Sequence, residues 1–254
     1  FVWFALTFWV YLQTQSVLTT SWIAGSFAVA NMAFAFLFGN IVDHHKKRFS
    51  MLLSSFISLI AYSIGAIIFF SNPLEVFTSH SSPMLWILIV SLMLGTVAGN
   101  LRMIALSTLV ILLFKDNRDK ANGMIGTVNG LSFTITGALS GLVIGFFGMK
   151  TVIITAVVAT LVCLIHLLFV SFEEKETEKT TEAGAIKRHF DFKTAFSTIL
   201  LIQGLFTLIM FTTLNNFLGG IFMSLMDAYG LSLVSVKVWG VMFSVLSLGF
   251  IFGN

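Results

Sequence analysis

FVWFALTFWVYLQTQSVLTTSWIAGSFAVANMAFAFLFGNIV (residues 1–42) contains no Asp, Glu, Lys or Arg, and DHHKKR (residues 43–48) follows it at once. A bilayer-spanning helix takes about 20 mainly apolar residues. The stretch is therefore long enough to cross lipid, turn at the polar cluster Gln13 to Ser16, and cross again before the basic exit. The pattern repeats along the chain, because residues 49–74, 76–101, 121–149, 151–172 and 194–226 are also free of formal charge. Hydrophobic residues make up 57% of the sequence and charged ones 10%, against roughly 25% charged in a soluble domain. Such a chain cannot cover a water-facing surface. Lipid offers no partner to backbone N–H and C=O groups, so open-ended spans must be helices, and the ~10-residue alternating segments of a membrane barrel are absent. The expected fold is all-α, a polytopic membrane helix bundle.

Eight spans are expected, at 1–13 (a partial helix), 17–41, 50–71, 84–109, 121–147, 150–171, 194–222 and 236–254. Only Gly148 and Met149 separate the fifth from the sixth. The loops after spans two, four and six hold three, three and five basic residues, eleven of the chain's fourteen. The opposite side holds Lys150 and Lys237, and Arg102 lies within a span. The excess of Lys and Arg on alternate loops assigns that face to the cytoplasm. Residues 172–193 carry six acids and five bases without apolar periodicity and read as a solvated linker. The expected organisation is a six-helix half at 1–171, a charged linker at 172–193, and the start of a second half at 194–254.

An internal repeat supports two halves. Residues 16–40 end in Phe36-Leu37-Phe38-Gly39-Asn40, residues 230–254 end in Phe250-Ile251-Phe252-Gly253-Asn254, and Ser21 corresponds to Ser235. Each stretch follows a helix and a polar turn. The chain opens at Phe1, and the repeat stops two helices into the second half, so truncation at both ends is expected.

The loop Gly39-Asn40-Ile41-Val42-Asp43-His44-His45-Lys46-Lys47-Arg48 resembles the pattern Gly-x-x-x-Asp-Arg-x-Gly-Arg-Arg of the major facilitator superfamily. His44 stands for its Arg and Lys46 for its Gly. Arg118-Asp119-Lys120-Ala121-Asn122-Gly123 resembles that family's Arg-x-x-Ala-x-Gly at the start of span five. Gly137-Ala138-Leu139-Ser140-Gly141 resembles the Gly-Pro-x-x-Gly of its efflux-type members, with Ala138 in place of Pro. The resemblance implies a transporter built from two six-helix halves, of which this chain holds the first half and two helices of the second. It further implies a gating role for Gly39, Asp43, Lys47, Arg48 and Arg118. Asp43 would latch helix ends on the basic face through Lys47, Arg48 and Arg118; an ordinary solvated loop charge is the plainer reading.

Arg102 is the sharpest single residue, because a cation near the bilayer centre costs about 2.5–3.5 kcal/mol on insertion scales. Ser91, Gly95, Ala98 or Gly99, and Arg102 share one helical face, as expected of a face that lines a cavity or packs tightly. Arg102 then either binds an anionic group or snorkels to the headgroups. Gln203, Asn215 and Asn216 are further candidates for substrate contact, since span seven lines the cavity in the family. Each of these three is more often an interhelical hydrogen bond, and Asn31, Asn100 and Asn129 are further neutral polar residues within spans. Gly126, Gly130, Gly137, Gly141 and Gly145 form a stripe where helices can approach closely; in the family this helix meets its counterpart from the other half. Trp3, Trp9, Trp22, Trp86 and Trp239 are expected as interface anchors.

No phosphate loop, nucleophile elbow, metal-ligand cluster or cofactor motif is present in the sequence, and the lone Cys163 cannot form a disulfide within the chain. The expected partners are a small-molecule substrate, the lipid bilayer of the cell membrane and, as a candidate driving ion, protons, but not nucleic acid. No Asp or Glu is expected deep in a span. A non-enzymatic transporter is the reading, with efflux of amphipathic compounds ahead of uptake of an organic anion or nutrient. The rival from another class is a membrane scaffold or receptor.

Overall fold

Helix α1 (Val2–Thr14) ends where Gln15 adopts the left-handed conformation, φ 49° and ψ 26°, and its N–H bonds Tyr11 O. That closes the helix, and Ser16 at once starts α2 (Val17–His44) by accepting from the Thr19 N–H at 3.2 Å. A hydroxyl N-cap accepts from one of the orphan N–H donors of a first turn, so two residues suffice to reverse the chain. The polar cluster at 13–16 encodes this turn. In this computed structural model the structure describes residues 1–114, 117–170 and 199–247, the side chains of Leu112 and Arg118 excepted. The linker at 172–193, the start of span seven at 194–198 and the second Phe-x-Phe-Gly-Asn at 250–254 lie outside the described residues.

Helix α3 (Lys47–Ser71), a 3-10 turn (Leu74–Phe77) and α4 (Pro83–Leu113) come next. Arg118–Phe169 is helical except at Gly148, whose φ of 71° and ψ of −177° break it. Its arms are α5 (118–147) and α6 (149–169), and only glycine takes that conformation without strain. Helices α7 (Leu205–Leu233) and α8 (Val236–Ser247) complete the described elements, all of them helical. Val17–His44, Lys47–Ser71, Pro83–Ile111, Asp119–Phe169 and Leu205–Leu233 have the length and hydropathy to cross a bilayer.

Two boundaries differ from expectation. Helix α2 continues beyond 41 to His44, which places Asp43 in its last turn. Span seven is not one helix over 194–222: Gly204, at φ 82°, interrupts it, and α7 continues to Leu233. Charge does not stop a helix whose charged side chain finds donors, and Asp227 finds them.

The chain divides into two compact units, Phe1–Glu173 with Leu225–Asn254, and Glu174–Ser224. The second exposes apolar side chains along α7, among them Leu208, Phe211, Leu214 and Phe217, a surface suited to lipid. The first holds three buried clusters. Leu6, Trp9, Ile23, Phe77, Leu88 and Ile153 belong to one that joins α1, α2, α4 and α6 with the 3-10 turn. Phe38, Val42, Met51, Leu101 and Leu109 are in another, towards the basic loops. Phe4, Phe8, Tyr11, Ala228, Leu231, Trp239 and Phe243 make up the third, where α1 meets the end of α7 and the start of α8.

Lipid provides no hydrophobic drive between helices, so close packing and interhelical hydrogen bonds must hold them. The α3–α4 seam does both. Ser54 donates to Ala98 O at 2.6 Å, Ser58 to Gly95 O at 2.8 Å, and Ser91 to Ala61 O at 2.6 Å. At Gly65 an added Cβ would lie 2.9 Å from Leu92 Cδ2. Ser58→Ala is expected to lower stability by about 0.6 kcal/mol, the average for such bonds in a membrane. Thermal unfolding in detergent reads the loss, and an unchanged midpoint would remove the serine bonds from the account.

Candidate functional site

On α4, Ser91, Gly95, Ala98 and Arg102 all face α3. Arg102 is half-buried, and its Nη1 donates to Ser55 Oγ at 3.0 Å. Of the two expectations for this face, tight packing against α3 describes Ser91, Gly95 and Ala98. Arg102 stands at the end of the same seam, bonded to a neutral oxygen. Across the bundle Asn100 Nδ2 donates to Asn31 Oδ1, joining α4 to α2.

At the basic loops, bases meet helix C-termini. Lys47 Nζ donates to Val42 O at 2.5 Å, and Arg48 Nη2 donates to Leu168 O at 2.7 Å. The last carbonyls of a helix lack intrahelical donors, and a cation there also opposes the negative end of the dipole. Arg48 thus ties the start of α3 to the end of α6. Gly39 has open space around it and Asp43 is exposed. Of Arg118, only its backbone at the start of α5 is described.

On α5, Gly137, Gly141 and Gly145 face α8. A Cβ on Gly141 would lie 2.6 Å from Val236 O and 2.7 Å from Gly240 Cα, and one on Gly137 would lie 3.1 Å from Phe243 Cδ1. At Gly145 it would meet the Lys237 stem. Gly130 is buried. Ser244 on α8 donates to Thr134 O at 2.6 Å, and Ser140 donates to Phe1 O at 2.9 Å. One face of α5 therefore holds α8 and the start of α1 together.

Gln203 lies in the turn before α7, while Asn215 and Asn216 are exposed on α7, all within the unit Glu174–Ser224. Arg102 belongs to the other unit.

The expectation that no acid lies deep in a span did not anticipate Asp227, in the last two turns of α7. It sits in α7, only 9% exposed. Thr7 Oγ1 lies 3.0 Å from its Oδ2, and Trp239 Nε1 donates to its Oδ1 at 3.2 Å. Treating a charge as the edge of a span hid it; the apolar residues continuing past it to Leu233 were the available signal. Trp239 is correspondingly not an interface anchor but buried at 6%, and Trp9, at 4%, packs on Phe69 and Phe77.

Apolar helices of membrane length, joined by hydroxyl–carbonyl bonds and glycine contacts, define a multi-pass α-helical membrane protein. Over residues 1–254 the sequence matches the Major Facilitator Superfamily, and the chain belongs to that family. Comparison with curated proteins and with solved structures gave no match. Its class of function is accordingly secondary transport of small molecules across a membrane. Paired six-helix halves with a site at their interface are the known design of this superfamily.

Proposed function

We propose that the chain is part of an exporter of amphipathic small molecules that works by alternating access in the cell membrane, with its basic loops cytoplasmic. The observation that carries export is the pair Gly137 and Gly141 at the spacing of the efflux-type motif, set on the face of α5 that receives α8. Close contact of α5 with α8 on the side away from the basic loops suits a state closed to the outside, and export needs that seal to open and re-form. The test is flux of a cationic dye and of a panel of drugs through the full-length protein in vesicles, with and without a proton gradient. Gradient-dependent dye extrusion is expected; absence of movement of every compound in both directions would refute transport.

Uptake of an organic anion is the second reading, and Arg102 favours it. Its described bond goes to the neutral Ser55, so the guanidinium keeps its charge for an anionic group. Asn215, Asn216 and Gln203 would supply neutral hydrogen bonds to either class of substrate. Gly39, Asp43, Lys47, Arg48 and Arg118 would form the gating loop, with Asp43 engaging basic helix ends when the cytoplasmic side closes. Asp43→Asn is expected to reduce transport while leaving membrane insertion intact. Full flux from that variant would exclude Asp43 from gating.

A further inference from the structure

Lys237 is the second residue of α8, at the end away from the basic loops. A cation in a first helical turn meets the positive end of the helix dipole, so α8 itself disfavours an ammonium there. A lysine near a membrane surface ordinarily extends its stem towards headgroups and water. Lys237 instead crosses to α5 and is half-buried. Its stem lies in the notch left by Gly145, where an added Cβ would fall 2.9 Å from Lys237 Cε and 3.2 Å from Cδ. Its Nζ then stands over the ring of the next residue, Phe146, 3.6 Å from the centroid.

Distance separates this contact from a chance approach. A cation within about 6 Å of a ring centroid is attracted by the negative face of the ring. Lys150, the other base on that side, is exposed and sits 5.9 Å from the Phe70 centroid, at the edge of that range. Lys237 is in direct contact with its ring, and its methylenes pack as well. Among the described residues no acid pairs with it. Glu75 is exposed in the 3-10 turn, and the Asp227 carboxyl is bonded to Thr7 and Trp239. The Phe146 face is therefore the group that balances the ammonium. Phe146 is otherwise 64% exposed, so its ring contributes little to a core. Gly145 makes room for the stem, Phe146 takes the charge, and Gly141 one turn earlier lets the two backbones meet.

We propose that Lys237 and Phe146 form a latch that holds the start of α8 against α5, which makes Lys237 a positioning residue of the transport cycle. This rests on the alternating-access reading and names a contact that must break when the seam opens. On opening, the stem leaves the Gly145 notch and the ammonium exchanges the ring for water. The pair contributes about a fivefold bias towards the closed form, the equivalent of ~1 kcal/mol for a partly exposed cation over a ring. That is enough to favour closure and small enough to be reversed in every cycle.

The test uses the full-length protein with Cys163→Ser and spin labels at Ser81→Cys and Ser235→Cys, exposed serines shortly before α4 and α8. Lys237→Met keeps an unbranched stem for the Gly145 notch and removes the charge. It is expected to lower the ratio of short to long label separations about fivefold. Phe146→Leu is expected to lower it equally, and the double variant no further, since either change alone already breaks the pair. Lys237→Arg, which keeps a cation for the ring, is expected to retain most of the parent ratio. Additive losses in the double variant, or a parent ratio in Lys237→Met, would overturn the latch. Should Lys237→Met fail to fold, trifluorophenylalanine in place of Phe146 decides, because fluorine withdraws negative charge from the ring face at nearly constant volume. A lowered ratio then supports the latch, and an unchanged one refutes it. Dye flux on the same preparations separates the latch from the transport reading. Flux with no coupling between the two positions refutes the latch alone. Coupling without flux of any compound supports the latch and refutes transport.

Discussion

Gly141→Leu is expected to leave the protein inserted in the membrane and to abolish its transport. Leucine is more apolar than glycine and favours insertion, so the damage must come from packing. At this position a Cβ would fall 2.6 Å from Val236 O and 2.7 Å from Gly240 Cα, both backbone atoms that no rotamer change can move. Helices α5 and α8 would have to separate. Overpacking a close-packed site costs about 1–3 kcal/mol, and a rigid backbone on both sides points to the upper end. A loss of ~3 kcal/mol confined to the closed seam would shift the closed-to-open ratio roughly a hundredfold. The check is labelling of a cysteine at Ser235 with a membrane-impermeant thiol reagent, alongside dye flux and thermal unfolding. Rapid labelling with lost flux and a retained unfolding transition is the expected result. Should Gly141→Leu transport and label like the parent, the α5–α8 contact plays no part in the cycle. Gly240→Leu, the mirror substitution on α8, is expected to behave alike, since its own Cβ would fall 2.7 Å from Gly141 Cα.

The span pattern was legible because lipid imposes a coarse rule. Uncharged runs of about 20 residues must be helices, and the loops between them carry the charge. Gly148 was readable as a break and Gln13 to Ser16 as a turn, for the same reason that glycine and hydroxyl caps punctuate any helix. The rule failed where a charge sits inside a helix. Asp227 interrupts an apolar run that continues to Leu233, and its partners Thr7 and Trp239 are far from it in sequence. Nothing local announces a carboxyl whose donors come from two other helices. The face of α4 carrying Ser91, Gly95 and Ala98 was ambiguous for a related reason. Small polar residues suit both a cavity wall and a tight seam, and only the position of the α3 serines separates the two. Arg48 was legible as a base near a helix end, but not as a donor to the carbonyls of α6.

Gly230→Ala carries the second large effect, and here the sign of the change is informative. In an unobstructed helix, alanine for glycine stabilises by about 0.5–1 kcal/mol through backbone entropy. Gly25, with nothing within 4 Å of its Cβ position, is expected to show that gain. At Gly230 the added methyl would fall on the Trp239 indole ring, which lies flat against α7 there and so brings its Nε1 within 3.2 Å of Asp227 Oδ1. The indole must move, but Trp239 is buried between Phe243 and the end of α7 and has little room to do so. Losing its bond leaves a buried carboxyl short of a donor, a penalty of about 1–3 kcal/mol, beyond the overpacking itself. The net expectation is a loss of roughly 3 kcal/mol, opposite in direction to Gly25→Ala. Thermal unfolding of both variants in detergent measures the difference, and tryptophan emission follows the environment of Trp239. Trp239→Leu added to Gly230→Ala should relieve the crowding without restoring the bond, so the double variant should recover part of the loss. If Gly230→Ala proved as stabilising as Gly25→Ala, the indole would not be held against α7, and the donor set around Asp227 would have to be redrawn.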